Sequence, residues 1–159
     1  MSAIKKSGLR IFFPMLLLLI FSCSESKKTD KKKSEEDKVE YVIFSIVGGH
    51  GGYYKTIKVT HDSLLLATGN ASSNTHKSWK QIVPEQKSKE ILGQLNIHQF
   101  MFIKSSESRQ PVDGVDETFQ IKTKDSSYVF VNAYNDKENY QQLKNFKTKL
   151  NTILPKQYQ

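Results

Sequence analysis

The chain has 159 residues and a formal net charge of +8. This length fits one domain with appendages rather than a multidomain protein, and the 37% hydrophobic content supports one modest core. The single cysteine excludes an internal disulfide as a source of stability.

The N-terminus has the features of an export signal. Lys5, Lys6 and Arg10 precede an apolar run over residues 11–21 that is broken only by Pro14. A helix that crosses a bilayer needs about 20 apolar residues, so this run is too short for an ordinary membrane span. Its length and basic flank predict the hydrophobic region of a secretory signal peptide.

Residues 20–23, Ile-Phe-Ser-Cys, resemble the lipobox of bacterial lipoprotein signal peptides. The resemblance implies that residues 1–22 are removed and that Cys23 carries fatty acyl chains such as palmitate. An ordinary cleaved signal with a chance cysteine, or an uncleaved anchor, is the alternative. Since Ser24 rather than aspartate follows Cys23, the same resemblance favours the outer membrane. We therefore expect a lipid-anchored protein of the cell envelope.

A polar tether is expected over residues 23–39. Residues 24–40 hold six lysines and six acidic residues and almost no apolar side chains. Such a segment buries too little surface to offset the entropy of ordering, which predicts disorder. The lysines at 31–33 are balanced by the acids at 35–37, so we expect no nucleic-acid partner.

A globular domain is predicted over residues 40–159. Its first half is rich in β-branched and aromatic runs that are separated by turn-forming residues. The segment 69–78 is predicted to be a loop because of its glycine, asparagine and serine content. The strands predicted in this half cover residues 41–47, 53–60, 64–68 and 79–83.

The second half is predicted to contain two helices and a hairpin. A short helix begins at Pro84, and residues 99–103 form a strand or a buried connection. Residues 117–124 and 128–133 predict a hairpin around a turn at 125–127.

The last helix is predicted to begin at a capping box of Asn135 and Glu138. Leu143, Phe146 and Leu150 then recur on one face. This pattern predicts a single α+β domain, mainly an antiparallel sheet with two helices, in which the C-terminal helix packs on the sheet.

Residues 48–52, Gly-Gly-His-Gly-Gly, join the first two predicted strands. A phosphate-binding loop of the Walker or dinucleotide type requires a helix next, and here a strand follows. His50 has no tight ligand spacing to His61, His76 or His98, so we expect neither a metal nor a cofactor. The stretch is predicted to be a hairpin loop in which glycines adopt positive φ.

The glycines exceed what one turn needs, which leaves two interpretations. The excess could expose backbone groups to a partner that pairs with them as a strand, or it could form a flexible tip with bulges. Tyr53 and Tyr54 should point to opposite faces, with one in the core and one exposed, and Trp79 should lie in the core or at its rim. The candidate partner-binding residues are Gly48, Gly49, His50, Gly51, Gly52, Tyr53 and Tyr54.

Catalytic motifs are absent from the sequence. No serine lies in a nucleophile-elbow motif, and the acids Asp113, Asp116 and Glu117 lack the alternation of an EF-hand loop. We therefore expect no enzyme activity. The alternative is a cluster of His50 with Asp113 or Asp116 that forms only in the fold.

The globular part resembles emfourin-like inhibitors of thermolysin-type metalloproteases. The residues that carry the resemblance are Gly48, Gly49 and Gly52, the stretch ILGQLNIHQF at 91–100, and DGVDETFQIKTK at 113–124. The resemblance implies a compact α+β binding module and, more specifically, protease inhibition. We thus expect a membrane-anchored lipoprotein that binds an envelope or secreted protein without catalysis, with metalloprotease inhibition as the alternative.

Overall fold

The computed structural model describes residues 38–159. The predicted signal peptide, the lipid acceptor Cys23 and almost all of the predicted tether lie outside the described residues, so these expectations stay predictions.

Six strands form one sheet in the order β4-β3-β2-β1-β5-β6, and every pair of neighbours is antiparallel. The first four strands run as a meander, and the chain then returns to place β5 on the free side of β1. The predicted antiparallel sheet is confirmed. The strands are β1 Val39–Gly48, β2 Tyr53–Val59, β3 Ser63–Asn70, β4 Thr75–Ile82, β5 Val115–Thr123 and β6 Ser127–Val131.

Two α-helices, α1 Glu85–Leu92 and α2 Gln141–Ile153, accompany the sheet, as predicted. Residues 99–103 fall mostly in a 3-10 helix, so they form a connection and not a strand, and Phe100 within it is buried. Within the described residues the 3-10 helices are Ile97–Phe102, Gln110–Val112, Ala133–Asn135 and Lys156–Tyr158.

The core lies between one face of the sheet and the helices. Phe44 of β1 and Phe119 of β5 are cross-strand partners with ring centroids 4.8 Å apart, and Phe146 of α2 meets Phe119 edge-on at 6.5 Å. Leu143 and Leu150 of α2 are fully buried beside them. Burying one such side chain contributes about 1.5–3 kcal/mol, so this face fixes the predicted packing of the C-terminal helix on the sheet.

Strand alternation sends a second set of side chains away from the core, to what we call the open face. These side chains are exposed or half-exposed except at Ser63 and Asp116, since both helices contribute their buried residues to the opposite side. In the four central strands the open face comprises Tyr41, Ile43, Ser45, Val47, Tyr54, Thr56, Lys58, Ser63, Leu65, Ala67, Gly69, Asp116, Thr118, Gln120 and Lys122.

The predicted bounds of the loop at 69–78 are wrong at both ends. Strand β3 continues to Asn70 and β4 already begins at Thr75, which leaves only residues 71–74 as the turn. Asn74 takes φ 49°, a left-handed conformation that asparagine tolerates better than most residues. The polar side chains of β4 hid the strand, because an exposed edge strand has no buried face to impose apolar alternation.

The capping box predicted for the last helix is also wrong. Asn135 lies in a 3-10 helix, its side chain donates to Ser106 Oγ at 3.0 Å, and α2 begins only at Gln141. The next residue, Asp136, takes the capping role for the intervening turn: its carboxylate accepts from the backbone N–H groups of Glu138 and Asn139. The helix itself has Tyr140 at its N-cap position and no side-chain cap hydrogen bond.

Candidate functional site

All four glycines of the loop adopt positive φ, as predicted: 125° at Gly48, 78° at Gly49, 101° at Gly51 and 66° at Gly52. Side chains of L-residues rarely tolerate these angles. At Gly48 the neighbours also leave no space, because a Cβ atom there would stand 2.2 Å from the carbonyl oxygen of Gly114. The glycine excess is therefore required by the backbone path of the loop.

The loop is hydrogen-bonded to both neighbouring loops. Gly49 N–H donates to Gly114 O at 3.0 Å, while the carbonyls of Gly52 and Gly51 accept from the N–H groups of Ala71 and Ser72 at 3.1 and 3.0 Å. The expectation of open backbone groups for strand pairing is wrong for these groups, since they are already satisfied within the molecule. Together the loop 48–52 with the adjoining Tyr53, the turn 71–74 and the segment 109–114 form what we call the glycine end.

Two candidate side chains of the glycine end are exposed. His50 stands at the loop tip and makes no hydrogen bond or ion pair within residues 38–159. Tyr53 is 40% exposed and borders a depression of about 260 Å³. The other residues that line this depression are polar or small: Thr68, Gly69, Asn70, Thr75 and Lys77.

Tyr54 points to the open face, opposite Tyr53, as the alternation predicts. Its hydroxyl forms a 2.6 Å hydrogen bond with His76 Nδ1, and the two rings stack at 6.2 Å. The expectation that one of the two tyrosines enters the core is wrong, because only Ile57 and Val59, further along β2, are buried. Both aromatic rings are therefore left near the surface.

Trp79 lies at the core rim, as predicted. It is partly buried and packs against Tyr158 of the last 3-10 helix, with ring centroids 6.3 Å apart. Lys55, on the same side of the sheet, donates to the Tyr158 carbonyl at 2.5 Å. The C-terminal residues thus cover the sheet up to Lys55 and not beyond, so Tyr53 stays accessible.

The buried carboxylate of Asp116 is hydrogen-bonded to the start of the segment 109–114 of the glycine end. Asp116 is 4% exposed and accepts hydrogen bonds from Ser108 Oγ at 2.5 Å, Arg109 N at 2.7 Å and Asn132 Nδ2 at 2.8 Å. Burial acts to raise the pKa of Asp116, but these donors outweigh it and the net pKa lies below the ordinary value. The ionised carboxylate thereby holds segment 109–114 against β5.

The pKa of Asp116 predicts an acid-dependent contribution to stability. A carboxylate whose pKa is lowered in the folded state stabilises the fold above its unfolded pKa, about 3.9, and loses that contribution as the pH falls further. We expect the stability difference between the wild type and Asp116→Asn to be constant from about pH 7 to 5 and to shrink below about pH 4. Chemical denaturation of both proteins across this range measures it. A difference that does not change with pH would contradict the ionised state.

On the core side of β5, Glu117 joins the sheet to the region of α2. Its carboxylate accepts from the Tyr140 hydroxyl and from Lys147 Nζ, both at 2.5 Å. Burial, followed by the hydrogen bond and charge of Glu117, raises the pKa of Tyr140, which stays a hydrogen-bond donor. This cluster was not predicted from the sequence, although Tyr140 and Lys147 are seven residues apart, beside the apolar stripe of the helix.

The described residues do not assemble the alternative catalytic cluster. Among residues 38–159, no hydrogen bond or ion pair joins His50 to Asp113 or Asp116, whose carboxylate is occupied by other donors. Within the same range, no three His, Cys, Asp or Glu side chains gather as a metal site. No helix in that range is long and apolar enough to cross a membrane.

Comparisons with known proteins gave no assignment. Neither the models of protein families nor the curated proteins match this chain. The resemblances to lipoprotein signals and to emfourin-like domains therefore stay predictions from the sequence.

Proposed function

We propose that the protein is a membrane-anchored, non-catalytic binding module of the bacterial cell envelope, and that the glycine end contacts its protein partner. The observation that carries this proposal is the hydrogen-bonded loop 48–52, which holds the exposed His50 and Tyr53 at one end of the sheet. A loop that is ordered before binding loses little conformational entropy when the complex forms.

The composition of the glycine end supports a protein partner. Near Tyr53 lie the Gly and His residues of the loop 48–52, the Ser and Asn residues of the turn 71–74, and Thr68 and Thr75 of the adjoining strands. Antibody loops use the same chemistry: tyrosine supplies rigid contact area, while serine, glycine and asparagine supply adaptable hydrogen bonds. Val112 of the third segment, and Val115 directly after that segment, add exposed apolar surface.

The predicted lipid on Cys23 supports a partner in the envelope or outside the cell. Acyl chains hold a protein at a bilayer without crossing it, and a polar tether lets the domain search the adjacent space. The binding function then depends on surface contacts and on proximity to the membrane.

Alanine substitutions at the glycine end test the proposal. A photoreactive probe at Asn74, on the turn beside the loop, should trap a protein partner in living cells. His50→Ala and Tyr53→Ala should each weaken capture about five- to 30-fold, the loss expected for an anchoring side chain. The glycines themselves are unsuitable for this test, because alanine at positions 51 or 52 would strain the backbone.

Two exposed residues outside the glycine end serve as matched controls. His61 lies in the β2–β3 turn and is exposed, and Phe102 is 58% exposed in the 3-10 helix Ile97–Phe102. His61→Ala and Phe102→Ala should leave capture unchanged. Equal capture by all four variants would contradict a binding surface at the glycine end.

Inhibition of a thermolysin-type metalloprotease is the second candidate, in line with the emfourin resemblance. The hydrogen-bonded loop with its exposed imidazole at His50 favours it, since protease–inhibitor interfaces use surfaces that change little on binding. Titration of the protein into several thermolysin-like proteases tests it. Absence of inhibition would remove this candidate and leave the broader proposal to the capture experiment.

A further inference from the structure

The open face carries positive charge and almost no exposed acid. Lys80, Leu65, Lys58, Ile43, Gln120 and Val129 are successive cross-strand partners, so they form one row across all six strands. Lys122 lies on the same face, two residues from Gln120 in β5. Among the paired strand positions of this face, the acid Asp116 is buried beneath Ser108 and Arg109. Glu40 is an exposed acid at the bulge of β1, next to Tyr41.

The three lysines of this face are not paired with carboxylates. Lys58 lies over the ring of Tyr41 at 4.6 Å, and none of Lys58, Lys80 and Lys122 forms an ion pair within residues 38–159. Asp62, in the β2–β3 turn, accepts hydrogen bonds from Thr60 and Ser63, and the charge of Lys80 acts on it only as a weak, minor influence without an ion pair. The ammonium groups are therefore available to an external anion.

A shallow groove lies between two of these lysines. It has a volume of about 330 Å³, with Leu65 and Ala67 of β3 among its lining residues. Lys58 and Lys80 flank Leu65 in register, one on each neighbouring strand, so their backbones are about 10 Å apart. Two flexible lysine side chains at that separation can both reach one phosphate group.

Apolar side chains accompany the charges across the whole face. Ile82 is 79% exposed and Val129 is 56% exposed, on the two opposite edge strands, and Ile43 is half-exposed between them. Six strands span about 24 Å, which is wider than one extended peptide would cover. A second copy of the chain would place like charges on like charges.

We propose that the open face docks on an anionic phospholipid bilayer, with a headgroup phosphate bound between Lys58 and Lys80. Basic residues provide attraction to anionic headgroups, and scattered apolar side chains enter the interface. This surface is separate from the proposed glycine-end site, so each can fail without the other. Docking through the open face would orient the domain on its membrane and leave the helical layer directed to the aqueous side.

Lysine labelling on vesicles tests this orientation. Full-length protein is reconstituted with vesicles of phosphatidylcholine alone or of phosphatidylcholine with phosphatidylglycerol, and an amine-reactive reagent is quantified residue by residue by mass spectrometry. We expect Lys58, Lys80 and Lys122 to react several-fold more slowly on the anionic vesicles, and high salt to abolish the difference. Lys87 and Lys144, on the helices, should react equally on both.

A pair of charge-matched variants isolates the contribution of the groove. Lys58→Gln/Lys80→Gln should weaken docking about 30-fold, read as lost protection of Lys122, since each lysine near an anionic surface contributes about five-fold. Lys87→Gln/Lys144→Gln should leave that protection intact.

Three outcomes would overturn the proposal. The first is equal labelling of the open-face and helix lysines on anionic vesicles, and the second is no association of the protein with those vesicles. The third is that soluble polyglutamate protects Lys58, Lys80 and Lys122 from labelling as well as the anionic vesicles do. The last of these would identify an acidic polypeptide as the occupant.

Discussion

Glu117→Ala should lower the free energy of unfolding by about 3 kcal/mol. The carboxylate is almost fully buried and receives both the Tyr140 hydroxyl and the Lys147 ammonium. Without it, the Tyr140 hydroxyl is left in a buried site with no acceptor, which alone costs about 1–3 kcal/mol. Lys147 is partly exposed and regains some hydration, which limits the additional loss. Urea unfolding followed by circular dichroism measures the difference.

The ion pair between Lys149 and Glu90 is the matched control, since it also joins α2 to another element. Its atoms lie 3.0 Å apart, but the Glu90 side chain is 62% exposed. Exposed pairs contribute about 0–1 kcal/mol, so Glu90→Ala should have little effect. If both variants lost the same stability, burial of Glu117 would not be the reason for its importance.

The fold could be predicted where burial imposed a pattern on the sequence. Leu143, Phe146 and Leu150 recur at helical spacing because α2 has one buried face, and Ile57 and Val59 alternate because one side of β2 is buried. Strand β4 has no buried face of its own, so its first four residues, 75–78, carry no apolar alternation and were predicted to be a loop, whereas residues 79–82 fell within a predicted strand. The apolar periodicity of a sequence reflects burial, so it does not identify an exposed strand at the edge of a sheet.

The backbone conformation of the candidate site could be predicted from the sequence, but the residues that hydrogen-bond to it could not. Four glycines around His50 indicated positive φ, and the structure confirms that angle at each of them. Nothing local to the loop indicated that Gly114 or Ala71 would take up its backbone hydrogen bonds, since these residues come from distant parts of the chain. The role of Asp116 depends on its hydrogen bonds from Ser108 and Asn132, which come close to it only in the folded sheet, so the sequence alone did not indicate it.

Gly48→Ala should destabilise the domain by about 3 kcal/mol and disorganise the glycine end. The φ of 125° strains any L-residue by about 1–3 kcal/mol. The new methyl group would also stand 2.2 Å from Gly114 O, which has to move away. That carbonyl is the acceptor for Gly49 N–H, so the shift breaks a further hydrogen bond worth about 1 kcal/mol. Urea unfolding gives the stability change.

Gly49→Ala separates backbone strain from the collision with segment 109–114. Its φ of 78° is also positive, but the nearest atom to an added Cβ is Val115 Cγ2 at 3.4 Å, an ordinary contact. Strain alone costs about 1–2 kcal/mol, so this variant should lose roughly half as much stability. Amide hydrogen exchange should then show faster exchange at segment 109–114 in Gly48→Ala than in Gly49→Ala. Equal exchange in the two would mean that the contact between Gly48 and Gly114 does not hold the two loops together, and that strain alone accounts for the glycine.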